Sequence, residues 1–252
     1  MSKRKTVLLT GATSGVGREV ATRLLAMPER YHLIATGRSH GALLELQNAG
    51  ATVIPADMAN AEEIEELIEQ TGSPDIVIHS AGVGTFALAH ELTDSQIEAM
   101  LDVNVLAPMK LTKRLLPGML ERKDGHIIFI GSQAGKVATP KASVYAASKH
   151  ALIGYVNALR MEVAPHGIQV SAIHPGPIDT PFLDHADATG TYRHSVGAHL
   201  LTTETVAEAV VKVMTKPVRE INLPGYMGWT SKLYGLAPGW VERLGKRFFD
   251  KK

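Results

Sequence analysis

The chain has no cysteine, which excludes disulfides, a thiolate nucleophile and any cysteine-ligated metal, and fits a reducing cytoplasm. It also has no excess charge of either sign, since 26 Lys and Arg stand against 25 Asp and Glu for a formal net charge of +1. No broad field is available to gather nucleic acid, so small molecules are the expected partners. Long apolar runs are missing as well. After Ser2-Lys3-Arg4-Lys5 only the short strand Thr6 to Thr10 precedes a group of glycines, too little for an export signal or a membrane span. A cytoplasmic protein is the expectation. No linker, repeat or low-complexity block breaks the sequence, and 45% hydrophobic residues over 252 positions are enough to bury a substantial core. A single domain over residues 1–252 follows.

What is present is a regular alternation of short apolar runs and helical stretches. Val7-Leu8-Leu9 precedes Arg18 to Met27, Leu33-Ile34-Ala35 precedes Gly41 to Ala49, and Val53-Ile54 precedes Ala61 to Gln70. Ile76-Val77-Ile78, the helix Ser95 to Arg122, His126 to Ile130, the helix Val144 to Val163 and Gln169 to Ile173 continue it. Near-continuous apolar strands joined by helical crossovers must lie parallel and be covered on both faces. The fold class is α/β: a doubly wound, Rossmann-type parallel sheet of about seven strands with helices on both faces. Ligands of such a sheet collect beyond the carboxyl ends of its strands. From Pro175 onward the pattern loosens. Asp184 to His199 is polar without apolar periodicity, which points to a mobile substrate lid around 184–203. A helical tail follows over 226–252, with Trp229, Trp240 and the run Arg243 to Phe249. Three roles stand open for it: resting on anionic lipid as a peripheral membrane contact, which is the less favoured, capping a neighbouring subunit, or packing over the chain's own cleft.

The first strand enters Thr10-Gly11-Ala12-Thr13-Ser14-Gly15-Val16-Gly17 and then a helix. A diphosphate needs close backbone approach and a helix N-terminus with free N–H groups, so Gly11, Ser14, Gly15, Val16 and Gly17 are candidate cofactor ligands. The spacing is GxxxGxG rather than GxGxxG. At the end of the second strand, where an adenosine ribose lies, there is no carboxylate. Arg38 suits a 2′-phosphate and Ser39 adds a hydroxyl, so NADP(H) is preferred over NAD(H).

Strand His126 to Ile130 ends in Gly131-Ser132, and Tyr145-Ala146-Ala147-Ser148-Lys149 opens the next helix. Tyr145 and Lys149, four apart, share a helix face, and the ammonium should lower a phenol pKa that starts near ~10. A shift of about two units needs roughly 2.7 kcal/mol of differential stabilisation. Among six tyrosines only Tyr145 has this lysine and a preceding strand-end serine.

On these motifs the sequence closely resembles the short-chain dehydrogenases/reductases from Thr6 to about Leu223. The resemblance implies that Ser132 holds the substrate oxygen, Tyr145 acts as general acid or base, and Lys149 binds the nicotinamide ribose. It implies that Asn104 holds a water on the proton relay, that Asp57, followed by Met58, meets the adenine, and that Pro175-Gly176-Pro177-Ile178-Asp179-Thr180 contacts the nicotinamide carboxamide through Ile178 and Thr180. It also implies homodimers or homotetramers through the helices Asp102 to Arg122 and Val144 to Val163. The chain departs from the family's Asn-Asn-Ala-Gly with His79-Ser80-Ala81-Gly82: Ala81 and Gly82 still allow close packing of a cofactor. His79 reads as a buried, hydrogen-bonded histidine, and no metal is implied. The expected reaction interconverts a carbonyl and a secondary alcohol, in the direction of reduction. Two alternatives stand beside it: an NAD(H)-dependent alcohol dehydrogenase of the same fold, and a non-catalytic nucleotide-sensing regulator, against which the intact set Asn104, Ser132, Tyr145 and Lys149 argues. Gln133, Val137 and Phe182 are too mixed to indicate a substrate class.

Overall fold

The computed structural model describes residues 4–187, 189–197 and 200–249, with backbone alone over 244–249. Ala188, Ala198 and His199 of the expected lid, the N-terminal Ser2 and Lys3, and the side chains of the run Leu244 to Phe249 lie outside the described residues. In chain order the elements are β1 (Lys5–Leu9), α1 (Gly15–Leu25), β2 (Tyr31–Ala35), α2 (His40–Asn48), β3 (Thr52–Val53), α3 (Ala61–Thr71) and β4 (Ile76–His79). There follow α4 (Asp94–Leu101), α5 (Ala107–Arg122), β5 (Gly125–Ile130), α6 (Ser143–Val163), β6 (Ile168–Pro175), α7 (Pro181–Ala186), α8 (Thr191–Val196), α9 (Thr203–Thr215), β7 (Glu220–Leu223), α10 (Tyr226–Leu236) and α11 (Pro238–Phe249).

The seven strands form one sheet in the order β3-β2-β1-β4-β5-β6-β7, every neighbouring pair parallel. This is the doubly wound Rossmann-like arrangement expected from the alternation. Successive residues of β1 serve opposite faces, as strand pleating requires. Val7 and Leu9 enter a core beneath α1 and α9 with Val20, Leu24, Val206 and Val210. Leu8 enters the other core, with Leu67, Leu111, Phe129 and Leu159 from the α3, α5 and α6 side. All six residues of β5 are buried. The order reverses between β1 and β4, so their carboxyl ends open a crevice.

The structure departs from the expected helix Ser95 to Arg122 in one respect. Between α4 and α5 the residues Asp102–Leu106 form a π-helical turn, in which Ala107 N–H donates to Asp102 O. Pro108 explains it: in a regular α-helix its position would have to donate to the carbonyl of Asn104, and proline has no N–H. The extra residue puts Asn104 at the bulge. Parts of the expected lid are helical, α7 ending at Ala186 and α8 running from Thr191 to Val196. Asp187 accepts from the N–H of Thr189 at 3.0 Å and of Tyr192 at 2.7 Å, which starts α8.

Candidate active site

The carboxyl ends of β1, β4, β5 and β6 border one cavity of about 1050 Å³. At its centre α1 begins at Gly15 after Ser14, whose side chain makes no capping bond. The first N–H groups of that helix are therefore available to an anion. Two glycines allow the close approach: Gly11 has φ +67°, and a Cβ there would stand 2.8 Å from Ala81 Cα. A Cβ on Gly17 would lie 2.1 Å from Gly11 O. Thr10 fastens the loops after β1 and β4 together, its hydroxyl accepting from Ser80 N and Ala81 N at 3.1 Å each. His79 turns away into the core. It is 5% exposed, its Nε2 lies 3.1 Å from Thr112 Oγ1, its ring stacks on Phe129 at 4.7 Å, and burial pushes its pKa down to about 3.

Arg38, Asp57 and Met58 line the far end of the cavity. The Arg38 guanidinium and the Asp57 carboxylate are 3.8 Å apart and well exposed, a pairing of small energetic weight that leaves the guanidinium able to meet another anion. Ser39 is not part of the wall. Its hydroxyl accepts from Ala42 N at 3.4 Å and caps α2. Gly82, Pro175, Gly176, Ile178 and Thr180 border the middle of the cavity.

Ser132, Tyr145 and Lys149 meet at the other end. Ser132 leaves β5 in an extended conformation and its Oγ accepts from Ala134 N at 3.1 Å. Tyr145 and Lys149 lie in the first two turns of α6, both buried. Lys149 Nζ is 5.8 Å from the Tyr145 ring centroid and donates to Ile130 O at 3.4 Å. The expected lowering of the phenol pKa is not found. Burial pushes Tyr145 up to about 12 against the opposing hydrogen bond with Ser132, and burial draws Lys149 down to about 8. Desolvation is the largest cause for both groups because both are enclosed.

Asn104 stands behind this group, fully buried. Its Oδ1 accepts from Val83 N at 2.9 Å, and its Nδ2 donates to Val83 O at 2.8 Å and to Ser148 Oγ at 3.0 Å. Ser148 in turn donates to Tyr145 O at 2.8 Å. Asn104 thus joins the loop after β4 to the start of α6 and does not itself line the cavity. Gln133 does, but its Nε2 donates to His174 O at 2.7 Å and Asn222 Oδ1 at 3.0 Å.

Several lining residues carry no sequence signal. Phe86 follows β4, Tyr192 comes from α8, and Tyr226, Met227, Thr230, Tyr234 and Val241 come from α10 and α11. The described part of the tail thus borders the cleft, and within it Tyr234 Oη of α10 donates to Glu242 Oε1 of α11 at 2.9 Å. Its outer face exposes Trp229, Leu236 and Trp240. Among the described residues no cluster of three or more His, Cys, Asp or Glu could hold a metal, and no helix is long and apolar enough to cross a membrane.

A parallel sheet with a glycine-lined crevice at its reversal point, and a serine, tyrosine and lysine converging at one end of it, define a dinucleotide-type oxidoreductase scaffold. The family described as short chain dehydrogenase matches residues 5–190. Ketoacyl reductase HetN of Nostoc sp. is 36% identical over 232 residues, spanning 86% of this chain and 77% of that protein. Among solved structures, the closed form of serine dehydrogenase complexed with NADP+ aligns with a TM-score of 0.78 at 32% identity, covering 86% of this chain and 93% of the other. A 4-hydroxyisoleucine dehydrogenase complexed with NADH aligns with a TM-score of 0.78 at 25% identity, covering 87% and 96%. The chain belongs to the short-chain dehydrogenase family and is an oxidoreductase of that family.

Proposed function

We propose that the protein is an NADP(H)-dependent reductase that interconverts a carbonyl and a secondary alcohol, with Tyr145 as the proton-transferring group. The observation that carries this reading is the convergence, in one cavity, of the uncapped start of α1 with the Ser132–Tyr145 hydrogen bond and the buried Lys149 ammonium. The residues fit a nicotinamide dinucleotide. The diphosphate would be held by Gly11 and Ser14 to Gly17, the adenine beside Asp57 and Met58, and the nicotinamide by Gly176, Ile178 and Thr180. A Cβ on Gly82 would stand 3.3 Å from Asn104 Oδ1 and 3.5 Å from Lys149 Nζ, so the close approach at the ribose depends on that glycine. With Ser39 engaged as a helix cap, recognition of a 2′-phosphate falls to Arg38.

When bound, the cofactor supplies or accepts the hydride. Ser132 holds the substrate oxygen by its hydroxyl. Tyr145, with a pKa near 12, stays protonated at neutral pH and donates its proton to the oxygen as negative charge develops there, which favours reduction. Lys149 then stabilises the phenolate and offers the route for reprotonation. On the substrate side, Arg193 of α8 donates to Thr180 O at 2.9 Å and pairs with Asp179 and Asp184, tying that helix to the segment after β6.

The test is titration with NADPH and separately with NADH, followed by Trp229 and Trp240 emission or by cofactor fluorescence, then addition of a panel of ketones and aldehydes. Tight NADPH binding with turnover is expected, and Tyr145→Phe should keep the binding and lose turnover by more than a hundredfold. NADPH binding with no turnover across the panel would instead favour the nucleotide-sensing regulator.

A further inference from the structure

The cavity also has lining residues that belong neither to the cofactor set nor to the proton-transfer group, and together they wall a chamber beside Tyr145. Its walls include Phe86 after β4, Val137 after β5, Phe182 and Tyr192 from the lid helices, and Met227 and Val241 from the tail. The aromatic rings interlock edge to face: Phe86 lies 5.7 Å from Tyr145, 5.0 Å from Tyr192 and 6.3 Å from Phe182. Charge is absent from this half. Among the described lining residues the charged side chains are Arg38, Asp57 and Lys149; the first two stand at the far end and the third beneath Tyr145. Nearby charges of the lid and tail are engaged elsewhere, Arg193 with Asp179 and Asp184 and Glu242 with the Tyr234 hydroxyl. The polar groups of the chamber are uncharged hydroxyls such as Ser195 and Thr230.

Resting on the oxidoreductase reading, we infer that the substrate is an uncharged ketone, or the matching secondary alcohol, whose carbonyl carries an apolar chain or ring system that fills this chamber. A zwitterionic hydroxy amino acid, the class named in the two dehydrogenase structures above, would bring an ammonium and a carboxylate out of water, with no carboxylate in the chamber wall for the ammonium and only Lys149, beneath Tyr145, as a cation for the carboxylate. An apolar chain meets aromatic and aliphatic walls instead, and each methylene buried there should strengthen binding about fourfold.

The experiment uses the full chain saturated with NADPH or NADP+. Binding of the 2-alkanones from 2-butanone to 2-undecanone is measured by calorimetry, turnover of the same series by cofactor absorbance, and oxidation of L-threonine is compared with that of 2-butanol. Kd should fall about fourfold per added methylene until the chamber is full, and L-threonine should be inert. Val241→Asp, on the chamber wall and outside the cofactor set, should keep NADPH binding and flatten the chain-length series. A flat series in the parent protein, or oxidation of L-threonine at or above the rate of 2-butanol, overturns the inference while leaving the oxidoreductase reading intact. Graded binding without turnover of any compound does the reverse: it supports the apolar chamber and sinks the catalytic reading.

Discussion

Replacing Asn104 by alanine separates two roles that the structure and the family resemblance assign to one residue. The side chain is 1% exposed and makes three hydrogen bonds, two with the backbone of Val83 and one with Ser148. At about 1 kcal/mol net for each bond, their loss costs about 3 kcal/mol, and leaving the N–H and carbonyl of Val83 unpaired raises this toward about 5. Set against a total stability on the order of 5–15 kcal/mol, that is a large fraction. The assay is urea unfolding by circular dichroism, with the denaturant slope checked for constancy. The alanine variant should lose about 3–5 kcal/mol of stability, and NADPH affinity should fall with it, because Val83 and Gly82 border the cavity that Asn104 shapes. A loss below about 1 kcal/mol accompanied by reduced turnover would refute the anchoring role and leave only a place on a proton relay.

Two further outcomes follow from charge and burial. Arg38→Ala should weaken NADPH binding about tenfold and leave NADH unchanged, the gain from a partly exposed charge-assisted contact being modest; equal weakening of both cofactors by titration would refute the 2′-phosphate assignment. Acid should destabilise the fold well before its carboxylates titrate. His79 and His126 are buried, with pKa values pushed down by burial from 6.5 to about 3 and about 4. They stay neutral in the folded chain while the unfolded chain binds both protons below about 6.5. This contribution is therefore complete above that pH and lost on the way down, about 2 kcal/mol for each histidine at pH 5. Urea midpoints at pH 7 and pH 5 measure it, and a His79→Gln, His126→Gln double variant whose pH dependence equals that of the parent would sink the argument.

The cofactor half of the cavity was legible in the sequence because a diphosphate demands a particular backbone geometry. Close approach requires glycine at Gly11 and Gly17, and an anion requires a helix start directly after a strand, so the requirement is written into adjacent positions. The buried role of His79 followed from the same kind of local reading, as did the parallel sheet from its apolar runs. Even the π-helical turn had a local sign in Pro108, four residues after Asn104, though without the structure nothing says whether a proline bends, ends or bulges a helix. The substrate half demands only volume and the absence of charge. Phe86, Tyr192, Met227 and Val241 are brought together by the return of the lid and the tail across the sheet, from four separate stretches with no shared period.

Tyr145 shows where sequence spacing alone misleads. Four residues of helix correctly place a lysine beside a tyrosine, and an ammonium near a phenol favours the phenolate. Spacing does not reveal how deeply the pair is enclosed. At 5.8 Å from the ring centroid to Lys149 Nζ, in a site where both groups are buried, the loss of hydration raises the phenol and lowers the ammonium at once. The two groups are thereby driven apart, the tyrosine up from 10.0 to about 12 and the lysine down from 10.5 to about 8. On the function proposed above, a phenol held this way would give up its proton only as negative charge develops on the oxygen held by Ser132, as carbonyl reduction requires. Depth of burial, which no motif encodes, therefore sets the protonation state from which the proposed proton transfer would start.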